Sequence, residues 1–423
     1  MSRARVAVLK TTPDSVLDDV GRVMHLAGYR DVISKEHDTA LKINISWHKW
    51  YPACSTTPWQ LEGVIRTMLA DGYRKELIHA CHNRTVVVSA RVGERANRHL
   101  GVVNKYGLRN IHLYEDQDWI RYEPKGKIRV LRDIYPHGIH IPRRFVGENI
   151  IHLPTVKTHV FTTTTGAMTN AFGGLLTERR HWTHPVIHET LVDLLMIQKR
   201  IHRGVFAVMD GTFAGDGPGP RCMTPHVKNV ILASADQVAI DAVAAKLMGM
   251  DPMQIKFIRL AHEAGLGCGD PRDIQIAGDQ SAAQENWHFQ GPYSTGMTFA
   301  SRMQHRIYWG NLRGPLQWSL KTVIAPWAYI ASVVYHDSFW YPKNADRAMA
   351  QVLKSDWGRL FQNWERVVAG ADGYPDVGEE PATVTRLGPR ALRKSVGILG
   401  TCIREAPEFA SRRRHHHAGM RNS

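Results

Sequence analysis

The stretch LPTVKTHVFTTTTGAMTNAFGGLL, residues 153–176, concentrates residue types that do chemistry. A lysine and a histidine two positions apart, Lys157 and His159, follow an apolar run. Four successive threonines ending at Thr165, then Asn170 and the Gly173-Gly174 pair, come next. Lys157 can hold an anion, the threonine hydroxyls and loop amides can cradle it, and glycine lets the backbone come close. A second group, RRHWTHPVIH at residues 179–188, adds Arg180, whose guanidinium suits carboxylate or phosphate, and the histidines His181 and His184. Asp210 closes the apolar run VFAVM, where an acid or base is commonly placed, and a glycine-rich stretch containing Gly217 follows it. Near the N-terminus Lys42 and Asn44 stand in KINIS, with Cys54 beyond and Cys81 after the next apolar run.

Two chemistries fit these residues. In the first, Lys42, Asn44, Thr165, Asn170, Gly173, Arg180 and Gly217 bind a small anion, while His159, Lys157, Asp210 and His184 carry out acid–base steps. In the second, His181, His184, Cys54 and Cys81 hold a metal, although their spacing follows no established ligand period. The glycines match neither GxxxxGK[ST] nor GxGxxG, so no nucleotide-binding loop is expected.

The elements that must position these residues alternate. Strand-like runs at 5–10, 40–45, 76–80, 110–113, 149–153, 205–209 and 229–233 are separated by helical patterns, the strongest at 185–201. That alternation predicts an α/β fold with a mostly parallel sheet and flanking helices, which binds ligands beyond the carboxyl ends of its strands. Residues 153–176 and 210–220 are expected as loops there, and 114–145 as an excursion from the sheet. The predicted organisation is an α/β core over 1–280, with lobes 1–148 and 149–280. A helical, aromatic-rich region follows over 281–382, with seven of the twelve tryptophans, and then a flexible basic tail, 383–423.

Composition removes several classes. At 423 residues, 43% hydrophobic and 22% charged, the chain is neither disordered nor collagen-like. Its five cysteines contain no CxxC pair, which excludes a zinc ribbon, a ferredoxin-type cluster motif and a disulfide framework. Of the net charge of +15, the tail supplies +7 from nine basic and two acidic residues. Specific nucleic-acid binding is therefore not expected, whereas the tail suits weak contact with a polyanion or membrane surface. The longest apolar stretch, 322–335, is too short to span a bilayer, and the N-terminal apolar run is too short for a secretory signal. The expected location is cytoplasmic, with peripheral membrane contact through the tail and the tryptophan-rich region as an alternative to a lid over the core.

Five strings in this order carry a resemblance: KINIS with the following TTP; LPTVKTH with TTGAMTNAFGG; RRHWTH; VMDGTFAGDGPGPR; and ASADQVAIDAVAAKLMGMDP ending in GLGCGD. Together, over about residues 41–279, they resemble the domain of unknown function 362 family. The resemblance implies an α/β core and a link to iron–sulfur redox proteins, and its pattern falls on Lys42, Lys157, His159, Asn170, Gly173, Arg180, His184, Asp210, Gly217, Asp236 and Asp241. Because no cluster motif lies in this chain, a metal or iron–sulfur cluster would be supplied by a redox partner protein. The expectation is an enzyme acting on a small anionic substrate by acid–base or redox chemistry. A non-catalytic metal- or cofactor-binding or assembly protein is the alternative.

Overall fold

A computed structural model describes residues 4–85, 87–115, 118–293, 298–310 and 332–369. The strands are β1 (Ala4–Lys10), β2 (Thr39–Ile43), β3 (Ile78–His82), β4 (Arg109–His112), β5 (Trp119–Tyr122), β6 (Ile139–Pro142), β7 (Asn149–Leu153), β8 (Thr155–His159), β9 (Thr163–Thr165), β10 (Val205–Asp216), β11 (Thr224–Ser234) and β12 (Ile274–Gly278). Ten of them form one sheet in the order β12-β1-β11-β10-β7-β2-β3-β4, with β8 paired to β10 and β9. β11 runs antiparallel to both of its neighbours, and β9 is antiparallel to β8. Every other pair in the sheet is parallel. This is the α/β fold the alternation predicts.

Strand alternation divides the core into two layers. Val6, Val8, Ile150, Ala207 and Met209 face one side, where Ile187–Ile201, Gln237–Leu247 and Lys256–Glu263 pack. Ala7, Leu9, Ile151, Phe206 and Val208 face the other, against Val16–Leu26 and Pro58–Ala70. Local signals set the helix ends. Thr57 and Gln60 form a capping box around Pro58 at the first helical position, and the Asp236 carboxylate accepts from the amides of Val238 and Ala239. The C-terminal helix Asp356–Ala369 joins the second layer, with Trp357 and Trp364 centred 5.2 and 5.9 Å from Trp59. The described residues of the aromatic-rich region are mostly helical, except over 284–293; residues 294–297, 311–331 and 370–382 and the tail 383–423 lie outside the described residues.

Two local expectations are revised, and two features were not foreseen. The stretch 153–176 is not a simple loop. It holds β8 and β9, because the β-branched threonines pair as a hairpin with Lys157 opposite Thr165. β10 runs on to Asp216 through the glycines expected as a loop; its outgoing half pairs with β11 across an irregularity between Gly211 and Phe213. Between β3 and β4 the chain forms two helices, Ala90–Ala96 and His99–Lys105, with Arg98 between them in a left-handed conformation. Edge strand β12 was not foreseen from the sequence.

One turn creates the site. Up to Leu153, β7 pairs with β2, ending at Ile43 opposite Leu153. Pro154 has no amide hydrogen to continue that ladder, and its carbonyl accepts from Asp210 N at 3.0 Å. From Thr155 on, the chain follows β10 instead. The sheet splits between β2 and β8, and a crevice opens at the carboxyl ends of β2, β3 and β7.

Candidate functional site

A cavity of about 350 Å³ fills that crevice. The end of β2 gives it Lys42, Asn44 and Ser46, and the segment after β3 gives Asn83 and Thr85. β8, β9 and the short helix Ala167–Asn170 supply His159, Thr165 and Asn170, followed by Gly173, while Arg180, Trp182 and His184 close one side. Arg221, Tyr308 and Ser332 complete the lining. The sequence-predicted residues Lys42, Asn44, Thr165, Asn170, Gly173, His159, Arg180 and His184 thus share one wall system.

The lining has two chemical halves. Phe161, Phe172, Trp182 and Tyr308 make an aromatic half, in which the His184 ring stacks on Tyr308 at 5.9 Å between centroids. The other half carries three cationic side chains, Lys42, Arg180 and Arg221, and among the described residues no aspartate or glutamate lines the cavity. Arg221 Nη2 donates to Ser332 Oγ at 3.3 Å, but its Nη1 is buried with no hydrogen-bond partner, as is the Thr165 hydroxyl. Burial holds the Arg221 pKa below its ordinary value, the response of a charge short of water, and the pull of Cys222 and Asp337 offsets it only in part.

Two groups have defined protonation. Lys42 is buried, and desolvation lowers it to about 8. Its Nζ donates to the carbonyl of Ile43 at 2.9 Å and to Asn83 Oδ1 at 3.3 Å. A neutral amine keeping both bonds has one lone pair left, so Lys42 can take up a proton near neutral pH. His159 is lowered to about 3, mainly by burial and then by His184, and stays neutral. Its Nδ1 accepts from Phe161 N at 3.0 Å, which leaves the proton on Nε2. His159 therefore acts as a hydrogen-bond donor, a narrower role than the proton transfer expected of it. Asn170 is turned inward, donating from Nδ2 to the Lys42 carbonyl at 2.9 Å. Gly173 packs closely on Asn83, and a Cβ there would lie 2.2 Å from Asn83 Oδ1, so a larger residue would displace the Asn83 side chain.

Other expected residues lie outside the cavity wall. Lys157 is fully buried; its Nζ donates to the Cys54 carbonyl at 2.5 Å, Thr155 Oγ1 at 2.9 Å and Ser46 Oγ at 3.3 Å. Asp210 sits behind the wall, accepting from Thr57 Oγ1, from Trp59 Nε1 at 3.0 Å and from Thr212 N at 2.6 Å. The Gly217 carbonyl accepts from Thr158 Oγ1 at 2.6 Å. Asp241 receives the amides of Ala167 and Met168 at 2.6 and 3.1 Å, fixing the short helix beside the cavity. Cys54 Sγ donates to the Pro220 carbonyl at 3.1 Å, and Cys81 is buried within β3; burial pushes both thiols up to about 12. With His184 in the aromatic half, these cysteines and that histidine form no joint ligand group among the described residues. The side chain of His181 lies outside the described residues. Arg221, Asn83 and Tyr308 were missed; the PGPR string containing Arg221 was legible, but the fold-back that brings it to the cavity was not.

The model of the family described as Domain of unknown function (DUF362) matches residues 39–246. A thylakoid-associated protein of Synechocystis sp. is 26% identical over 123 residues, which is 28% of this chain; the match spans only 38% of that relative's length. The crystal structure of a Thermotoga maritima protein is similar over 60% of this chain and 59% of its own, at 13% identity and a TM-score of 0.35. Among the described residues no helix is long and apolar enough to cross a membrane.

Proposed function

Starting from a chain whose residues 39–246 belong to the domain of unknown function 362 family, we propose that it is an enzyme acting on a small molecule with an anionic group and an apolar body. The observation that carries this reading is the cavity lining, with three cationic side chains, no carboxylate among the described residues, and the unpartnered Arg221 Nη1 and Thr165 Oγ1. Buried donors without partners are costly unless a ligand satisfies them. The anion sits among Lys42, Arg180, Arg221 and the His159 N–H, and the body lies against Phe161, Phe172, Trp182 and Tyr308. Lys42 is the proton-transfer group, because it lines the cavity with its Nζ held by the Ile43 carbonyl and Asn83 Oδ1, and burial lowers its pKa to about 8.

Calorimetry with aromatic and aliphatic carboxylates and phosphates tests the site. At least one should bind, and Arg221→Met should weaken it about tenfold or more, on the order of a lost charge-assisted contact. If no anion binds, or the variant binds unchanged, the reading fails. Incubating the bound carboxylate in D2O tests the chemistry. The neutral form of Lys42, within reach because its pKa lies at about 8, removes a carbon-bound proton through Nζ and returns a deuteron while Arg180 and Arg221 keep the anion, so the ligand's C–H signal should fade with wild type and persist with Lys42→Met.

The name of the Synechocystis relative favours a second, compatible reading in which the chain associates with a membrane surface. Co-sedimentation with anionic vesicles should hold for the full chain and drop when residues 383–423 are removed. Equal sedimentation of the two forms would reject a role for the tail.

A further inference from the structure

A second constellation stands at the adjacent sheet edge, outside the cavity lining. β3 and β4 are parallel with His82 opposite His112, so the last residue of each strand projects a neighbouring imidazole. The helix Ala90–Ala96 crosses beyond them and brings Glu94. His82 Nε2 lies 2.7 Å and His112 Nε2 3.0 Å from the same oxygen, Glu94 Oε2. The three ligand atoms all lie within 4.8 Å of one another. His82 and Glu94 are buried, and His112 is partly buried.

Hydrogen bonding alone accounts poorly for this crowding. Asn110 Nδ2 also stands 2.8 Å from Glu94 Oε2, so three donors converge on one carboxylate oxygen, more than its two lone pairs. Meanwhile Asn110 Oδ1 and His82 Nδ1 are buried without partners. With a cation at this point the Asn110 amide can turn over and offer its oxygen, which is otherwise unpartnered, as a further donor. Imidazole nitrogens bound to a metal commonly have a carboxylate behind the ring, and His112 Nδ1 has Glu115 Oε2 at 3.7 Å.

We propose that His82 Nε2, His112 Nε2 and Glu94 Oε2 bind one divalent first-row transition metal ion, with the Asn110 side-chain oxygen as a fourth donor. Two imidazoles and a carboxylate are a donor set that takes Zn2+, Fe2+ or Mn2+ and leaves further positions open. The sequence pointed to His181, His184, Cys54 and Cys81 instead, because Glu94 and His112 become neighbours of His82 only through strand register. The site does not depend on the anion reading. It stands beside that cavity, since Asn83 lines the wall directly after His82.

The test uses the full chain, stripped with a chelator and titrated with Zn2+ and with Co2+. One equivalent of Zn2+ should bind and raise the thermal midpoint. Co2+ should give ligand-field bands for nitrogen and oxygen donors without a thiolate charge-transfer band. Glu94→Gln and His112→Ala should each weaken Zn2+ about tenfold or more, and His184→Ala should leave it unchanged. Failure of the wild type to bind, a thiolate band, or full affinity in folded His112→Ala would overturn the proposal. Should both ligand variants fail to fold, the wild-type stoichiometry and Co2+ spectrum decide alone.

Discussion

Lys42 and Lys157 invite comparison because they stand on the two sides of the split sheet and share so much. Both are buried, both sit near strand ends, and desolvation lowers each to about 8. Their surroundings differ. Lys157 faces the polar interior behind the cavity, where the segment 44–57 folds back and three oxygens take its donors. Asp210 belongs to the same interior, filled by Thr57, Trp59 and Thr212. Lys42 faces the cavity with two fixed bonds, among cationic neighbours and donors without partners. Burial and a shifted pKa therefore do not single out a working residue; an unspent bonding capacity aimed at open space does.

The comparison breaks most visibly at Asp210. Asp210→Ala strands three buried donors and should cost about 3 kcal/mol or more in denaturant unfolding. Ligand affinity of the protein that remains folded should not change. A variant of wild-type stability that had lost ligand binding would move Asp210 from the interior to the site. Lys157→Met should follow at about 2 kcal/mol, since the Cys54 carbonyl and Thr155 hydroxyl lose their donor. Arg221→Met should do the reverse, leaving the midpoint within about 1 kcal/mol while ligand affinity falls about tenfold.

Much of this contrast was legible in residue order. Pro154, at the turn that splits the sheet, and the strand ends carrying Lys42 and His159 sit where apolar runs stop, and an α/β fold puts ligands there. The capping signals at Thr57-Pro58 and Asp236 stood at the observed helix starts. Side-chain direction was not legible. Lys157 and His159 are both an even number of residues from Thr155 on β8, yet only His159 reaches the cavity, because the fold-back of 44–57 covers Lys157. Nor could sequence spacing reveal the pairing of His82 with His112, thirty residues apart and set by parallel register. The threonine run looked like a loop because hydroxyl residues favour both turns and strands.

The smallest effects come from pH, and they sharpen the comparison between the lysines. Burial disfavours the charged amine, so the folded pKa lies below the ordinary 10.5, at about 8 for each lysine. Between those values the unfolded chain binds more protons, and stability should rise with pH; that gain is lost as pH falls through 8. Either lysine-to-methionine variant should flatten the rise measured by urea unfolding across this window. Ligand binding should separate the two. If charged Lys42 holds the anion, affinity falls about tenfold from pH 7 to 9, following the charged fraction of a group titrating near 8. Lys157→Met should keep that fall and Lys42→Met should abolish it. A pH-independent affinity in the wild type would show that Arg180 and Arg221 hold the anion unaided, leaving Lys42 to proton transfer alone.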